Sequence, residues 1–389
     1  MKIRRFEIWN FRSLEDITAG ALSDAAVFHG ENNTGKSNIL AALKFIFQGK
    51  VIREEELPRE VSAPPAPRPT PFYYGELTDF RDNFRWGSSG PIRFNIRLEA
   101  SDKELESVPD LDRALESVRS GPGHSNWIII TGLIDRSGDD GRMQLEEAKL
   151  NGAILYKWEE SGSPSYFPSL ADSLSPDERQ EAAEALLLSL TDLVVVVESD
   201  RYLTQEPSEG PGQLSSSTFK RWLHRLSLSR DEFPVYRRIT QAFQDAPFGF
   251  GHVWFAEDSR ELEIMILDSS SQRLPIARLG TGVQQVLMLL ARILQSPAKV
   301  IAIEELELNL SYKNQDLVLN KLVDLVRDQS YPLSQLLITT HSDHLGSRDD
   351  VKRYRVLLED TKTKVRTFTR SDRTELFPRS RGRRRPKFR

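Results

Sequence analysis

Apolar positions change their spacing along the chain, and each change marks an element. From Lys2 to Trp9 they alternate with polar residues, the period of a half-buried strand. Ala25 to Phe28 is a short apolar run. Asn38 to Phe47 (Asn-Ile-Leu-Ala-Ala-Leu-Lys-Phe-Ile-Phe) repeats at helical spacing. Strands are predicted over Pro91 to Glu99, Trp127 to Asp135, Met143 to Leu150 and Ala153 to Trp158. Asn151-Gly152 between the last two is a strong hairpin signal, so these strands form an antiparallel sheet. A charged helix near 102 to 119 interrupts them. Pro176 to Leu190 reads as a helix, Leu193 to Val197 as a buried strand, 218 to 228 and 231 to 246 as helices, and His252 to Asp268 as a hairpin. A clear helix runs through Val286 to Leu294. Lys299 to Ile303 and Gln335 to Thr340 are apolar runs that suit buried parallel strands. The chain has no internal repeat and no sustained heptads, so no long coiled-coil arm is expected.

Polar and irregular stretches separate these elements. Residues 57 to 71 hold six prolines (58, 64, 65, 67, 69 and 71), too many for a helix or central strand, and read as an exposed connector. The aromatics that follow (Phe72, Tyr73, Tyr74, Phe80, Phe84 and Trp86) either pack the connector back on the body or offer a base-stacking or partner surface. Residues 205 to 217 read as a loop.

Composition narrows the class. The 389 residues, 39% hydrophobic and 28% charged, describe a globular chain of two or three domains, or one large α/β body with an insert. No run approaches the ~18 apolar residues of a membrane span. The opening Met-Lys-Ile-Arg-Arg-Phe-Glu lacks the apolar stretch of a secretion signal. The absence of cysteine excludes disulfides, thiolate metal sites and cysteine nucleophiles, and fits a reducing cytoplasm. A net charge of -4 argues against a uniformly basic nucleic-acid binder. Arg379 to Arg389, with seven basic residues in eleven, reads as a solvated end or as a binder of nucleic acid or an acidic partner.

The candidate chemistry begins at Gly30-Glu31-Asn32-Asn33-Thr34-Gly35-Lys36-Ser37. This is G-x-x-x-x-G-K-S between an apolar run and a helix, the context that a phosphate-binding loop requires. Backbone N–H groups of Gly30, Asn32, Asn33, Thr34 and Gly35 would curl around a phosphate chain, with the helix N-terminus behind them. Lys36 would reach the β- and γ-phosphates, and the Ser37 hydroxyl would join a Mg2+ shell. Glu304-Glu305, at the end of the apolar run 299 to 303, supply the second half of such a site. The first acid would hold Mg2+, and the second would orient or deprotonate the attacking water. Leu279-Gly280-Thr281-Gly282-Val283-Gln284-Gln285 opens the helix that follows, making a second anion-binding end or simply a capped core helix. His341, after the strand 335 to 340, is placed to sense or stabilise a γ-phosphate.

In this order and at these distances, the four elements resemble the ABC-type ATPases of DNA maintenance: RecF, the SMC group and, most closely, the OLD family. Lys2 to Leu14 resembles their first strands and Asn-Phe-Arg-Ser turn. Leu279 to Gln285 resembles the OLD form of the ABC signature. Ile303 to Gln315 follows I-E-E-P-E-x-x-L-H-P-x-x-Q at most positions, and Thr339-Thr340-His341-Ser342 matches the switch-histidine strand. The resemblance implies an α/β, ABC-type P-loop head with a mixed β-sheet core, an antiparallel β subdomain and a helical insert. It implies Walker A at Gly30 to Ser37, Glu304 as the magnesium acid, Glu305 as the catalytic glutamate and His341 as the switch. Gly280, Thr281 and Gly282 would contact ATP held by another subunit, and Arg12 would lie near the nucleotide. Departures fall at Gly280, where the signature serine is absent, and at Leu306, Ser311 and Tyr312, where the family has proline, histidine and proline. No glutamine is assigned as the Q-loop residue.

The expected division is 1–50 for a first ATPase lobe, 51–90 for the connector and 91–200 for the β subdomain and helical insert. Next come 201–250 for a helical segment, 251–370 for the second ATPase lobe and 371–389 for the basic tail. With no glutamate and Asp-x-Asp pattern in the 48 residues after His341, an own Toprim nuclease is not expected. The resemblance implies ATP and Mg2+ as ligands, a homodimer or higher homo-oligomer and a separate effector protein, a Toprim or other nuclease, as in PARIS-type anti-phage systems. Two alternatives stand beside this: a RecF-like repair factor that loads on DNA, and a slow ATPase that stores a partner until a trigger arrives.

Overall fold

The computed structural model describes residues 1–47, 51–52, 73–76, 80–85, 87–108, 111, 125–134, 142–157, 176–199, 216–245, 248–258, 261–267, 272–308, 310–328, 330–342, 345 and 348–368. The proline connector, Phe72, Trp86, nearly all of the loop at 205 to 217 and the basic tail lie outside these residues.

In chain order the strands are β1 (Lys2–Phe11), β2 (Leu14–Gly20), β3 (Ala25–His29), β4 (Val51–Ile52), β5 (Tyr73–Glu76), β6 (Ile92–Ala100), β7 (Asn126–Ile134), β8 (Arg142–Leu150) and β9 (Ala153–Lys157). They continue as β10 (Val194–Val197), β11 (His252–Asp258), β12 (Glu261–Leu267), β13 (Arg273–Pro275), β14 (Val300–Ile303), β15 (Gln335–Thr340), β16 (Lys352–Glu359) and β17 (Lys362–Thr367). The helices are α1 (Lys36–Phe47), α2 (Asp102–Glu106), α3 (Pro176–Leu190), α4 (Ser216–Leu228), α5 (Phe233–Gln244), α6 (Thr281–Gln295) and α7 (Tyr312–Arg327).

The central sheet runs β10-β14-β15-β3-β16-β17, parallel except for β17. Its strands β3, β14 and β15 are buried along their whole length and mostly apolar, because both faces are covered. Alternate residues feed two cores. Ala26, Phe28, Val300, Ala302 and Leu337 face the cluster shared with α1 and the antiparallel sheet. Ala25, Val27, Ile301, Ile303, Leu336 and Ile338 face the cluster shared with α4 to α7.

The second sheet runs β2-β1-β6-β7-β8-β5-β4, with β9 on β8. It joins the N-terminal strands to the antiparallel strands of 91–157, so one sheet crosses the expected limits at 50 and 91. The strands on either side of residues 57 to 71 belong to this sheet, since β4 pairs β5 and β5 pairs β8. Buried Gln335 ties the two sheets: its amide accepts from Ile3 N at 2.8 Å and donates to Ile3 O at 2.7 Å and to Ser23 O at 3.0 Å. A third, small sheet is β11-β12-β13.

The charged helix expected near 102 to 119 is seen as α2, closed by a Ser101/Glu104 capping box, and 112 to 124 lie outside the described residues. Several elements were not anticipated, among them the short strands β4, β5 and β13. The larger ones are α7, which Ser311 caps by accepting from Asn314 N, and the β16–β17 hairpin.

Candidate active site

The carboxyl ends of β3, β15, β14 and β10 lie side by side, the crevice in which open α/β sheets bind ligands. The loop Gly30 to Gly35 leaves β3, Glu304-Glu305 leave β14, and His341 leaves β15.

The loop is tightly built. Gly30 N–H donates to Thr340 O at 3.2 Å, and a Cβ at Gly30 would come within 2.3 Å of Val356 O. Asn33 adopts φ 62°, which asparagine tolerates, and Gly35 adopts φ 95°. The Thr34 hydroxyl donates to Glu31 O at 2.9 Å. Asn32 and Asn33 are exposed on the loop. Lys36 is buried, and its ammonium donates back to Gly30 O at 2.9 Å and Glu31 O at 2.7 Å. Burial pushes its pKa below the usual lysine value, against the opposing pull of the Glu305, Glu307 and Glu304 carboxylates. The amine thus sits inside an acidic cluster, held in place by backbone carbonyls.

Ser37, one residue on, donates its hydroxyl to the Glu304 carboxylate, so the two groups expected to share Mg2+ meet across 267 residues of chain. Glu305 adopts φ 46°, a left-handed conformation that costs a non-glycine residue about 1–2 kcal/mol. Its N–H donates to the Thr339 hydroxyl at 3.3 Å.

His341 is exposed at its ring but anchored at its base. Its backbone N–H and Nδ1 lie 2.6 Å and 2.9 Å from one oxygen of buried Glu307. Ser342 donates to Gln315 Oε1 at 2.8 Å, while Gln315 Nε2 donates to Leu310 O at 3.0 Å. The segment leaving β14 and the segment leaving β15 are thus tied twice through buried polar groups. Neither Glu307 nor Gln315 was singled out from sequence. The signal was their place inside the Ile303 to Gln315 pattern, at two of its fixed polar positions.

Arg12, at φ 49°, donates to Asn83 Oδ1 at 2.8 Å and reaches Asn38 Oδ1 at 3.5 Å, beside Ser37. Gly280 and Thr281 are exposed at the start of α6, and a Cβ at Gly280 would meet nothing within 4 Å. Among the described residues, no hydrogen bond joins Gly280, Thr281 or Gly282 to the phosphate loop.

The donor set fits a nucleotide triphosphate and Mg2+: a glycine loop whose two glycines admit no Cβ, a buried amine, a hydroxyl paired with an acid, and a second acid alongside. Two family models match the chain. Residues 1–136 match the one described as "AAA ATPase domain" and residues 161–347 the one described as "AAA domain, putative AbiEii toxin, Type IV TA system". No curated protein matches. Among solved structures, the SmcHead bound to the C-winged helix domain of ScpA is similar at 14% identity and TM-score 0.53, covering 96% of this chain and 100% of that one. The SMC head domain from Thermotoga maritima is similar at 14% identity and TM-score 0.48, with 95% and 100% covered. The Smc head with an extended coiled coil bound to the C-terminal domain of ScpA derived from Pyrococcus furiosus follows at 13%, TM-score 0.48, with 97% and 98% covered. The chain has a P-loop ABC-type fold like that of the SMC head, and ATPase family models match two separate stretches of it.

Proposed function

We propose that the chain hydrolyses ATP between two copies packed head to tail, and that the ATP-bound pair controls a separate effector in anti-phage defence. One observation carries the first half. Lys36, Ser37, Glu304, Glu305 and His341 share one crevice, while Gly280 and Thr281 stand exposed and, among the described residues, neither they nor Gly282 bond to that crevice on the same chain. A second copy would bring those glycines and Thr281 to the phosphates that the first copy holds.

In this reading the loop N–H groups and Lys36 hold the phosphate chain, and Ser37 and Glu304 hold Mg2+. The bound metal would neutralise charge on the phosphate oxygens. Glu305 takes the proton of the attacking water. Glu307 holds His341 with Nδ1 facing inward, which leaves Nε2 to meet the γ-phosphate.

Support for a separate effector comes from the matched family, whose description names a toxin of a Type IV TA system, a two-component arrangement. The SMC heads of similar fold are described in complex with a second protein, ScpA. No helix among the described residues is long and apolar enough to cross a membrane. Purifying the native complex by affinity tag tests the second half. The proposal expects a co-purifying Toprim or other nuclease whose release depends on ATP hydrolysis. Recovery of DNA-stimulated ATPase activity with no protein partner would favour the RecF-like alternative.

A further inference from the structure

The β16–β17 hairpin lies beyond both family matches, which end at 136 and 347, and beyond every motif of the sequence. Yet it closes the back of the phosphate loop. Val356 O sits where a Cβ at Gly30 would be, and Thr363 Oγ1 would lie 2.1 Å from a Cβ at Gly35. Thr363 is fully buried. Its hydroxyl lies 2.9 Å from Thr34 O and 2.8 Å from Ser13 Oγ, its N–H donates to Ser13 O at 3.2 Å, and Asn38 Nδ2 donates to Ser13 Oγ at 2.8 Å.

These distances fix the direction of every proton. Thr34 O can only accept, so the Thr363 hydroxyl donates to it. Ser13 must then donate to Thr363, and Asn38 donates to Ser13. The relay starts on α1, passes through the turn after β1, and ends on the carbonyl of the residue before Gly35. A planar trans peptide points the Gly35 N–H opposite to the Thr34 carbonyl, away from the hairpin. Among the described residues that N–H has no acceptor.

We infer that Thr363 is a positioning residue of the nucleotide site: it holds the Thr34–Gly35 peptide so that the Gly35 N–H is presented to a nucleotide phosphate. The inference rests on the ATP reading above. Removing the hydroxyl frees this peptide to rotate, and the loop then has to be ordered by the ligand itself.

The test compares Thr363→Val, which keeps the shape and loses the hydroxyl, with Thr363→Ser, which keeps the hydroxyl. MgATP affinity is measured with a fluorescent ATP analogue and turnover by phosphate release, in the full chain. Thr363→Val is expected to raise Kd and KM about tenfold, the effect of losing one buried hydrogen bond, with kcat changed less than threefold. Thr363→Ser is expected within twofold of wild type. Ser13→Ala, which breaks the relay one step earlier, gives the same reading if Thr363→Val fails to fold, with a smaller rise in Kd. Wild-type affinity in a folded Thr363→Val or Ser13→Ala variant overturns the inference while leaving the ATP site intact. A wild-type chain that binds no MgATP overturns the underlying reading along with it.

Discussion

The two glycine-bearing helix starts of this chain are built in opposite ways. At the start of α1, Gly30 and Gly35 have no room for a methyl group, Lys36 is buried, and carbonyls from β15 and β16 close the loop. At the start of α6, Gly280 faces open space, Thr281 is exposed, and no side chain caps the helix. The first is finished by its own chain and reads as a rigid cradle. The second is open to solvent, where water satisfies its N–H groups. In the proposed head-to-tail pair, this open helix start is the one that meets the nucleotide held by the other copy.

Substitutions on the closed side should have the largest effect. Lys36→Ala removes the charged donor and should weaken MgATP binding about a hundredfold or more, as read by titration. Unchanged affinity would remove the cradle from the account. Gly35→Ala should then cost about 3 kcal/mol of folding stability, from its positive φ and the contact with Thr363. Gly280→Ala should cost under about 1 kcal/mol while lowering turnover roughly tenfold. Thermal unfolding of the two variants beside each other reads the contrast, and equal losses would erase it. A smaller effect is expected from Glu307→Ala, which frees His341: kcat should fall several-fold to about tenfold with Kd nearly unchanged. Glu307→Gln keeps an acceptor and should recover much of that loss.

How legible these features were depended on whether their signal was local. The glycine loop, the acidic strand end and His341 sit in short stretches whose residue types follow from the chemistry proposed for them. Asn151-Gly152 was equally plain, and both residues take positive φ, 51° and 87°, as the tight turn needs. Asp360-Thr361 make the same kind of turn, with φ 48° and 66°, between β16 and β17. It went unread because aspartate and threonine there look like an ordinary polar surface, and positive φ at threonine is rare. Helix α7 was hidden for a related reason: Ser311 stood out as a departure from a family pattern and not as the cap it is. What could not be read at all was contact between distant segments. The bonds from Thr363 to Thr34 and from Gln335 to Ile3 each span more than 300 residues, and nothing local in either partner announces them. The sharing of one sheet between the N-terminal strands and the strands of 91–157 was hidden in the same way.

The central claim is that ATP is held between two copies of this chain. It is tested most directly by measuring mass in solution by light scattering on the Glu305→Gln variant, with and without MgATP. This substitution keeps the nucleotide contacts and removes the base, so hydrolysis should fall by about two orders of magnitude or more and trap the bound state. The account predicts a shift from 44.4 kDa to twice that mass on adding MgATP, and its loss when Gly280→Ala is added. A variant that binds MgATP at saturating concentration and stays at 44.4 kDa would contradict it.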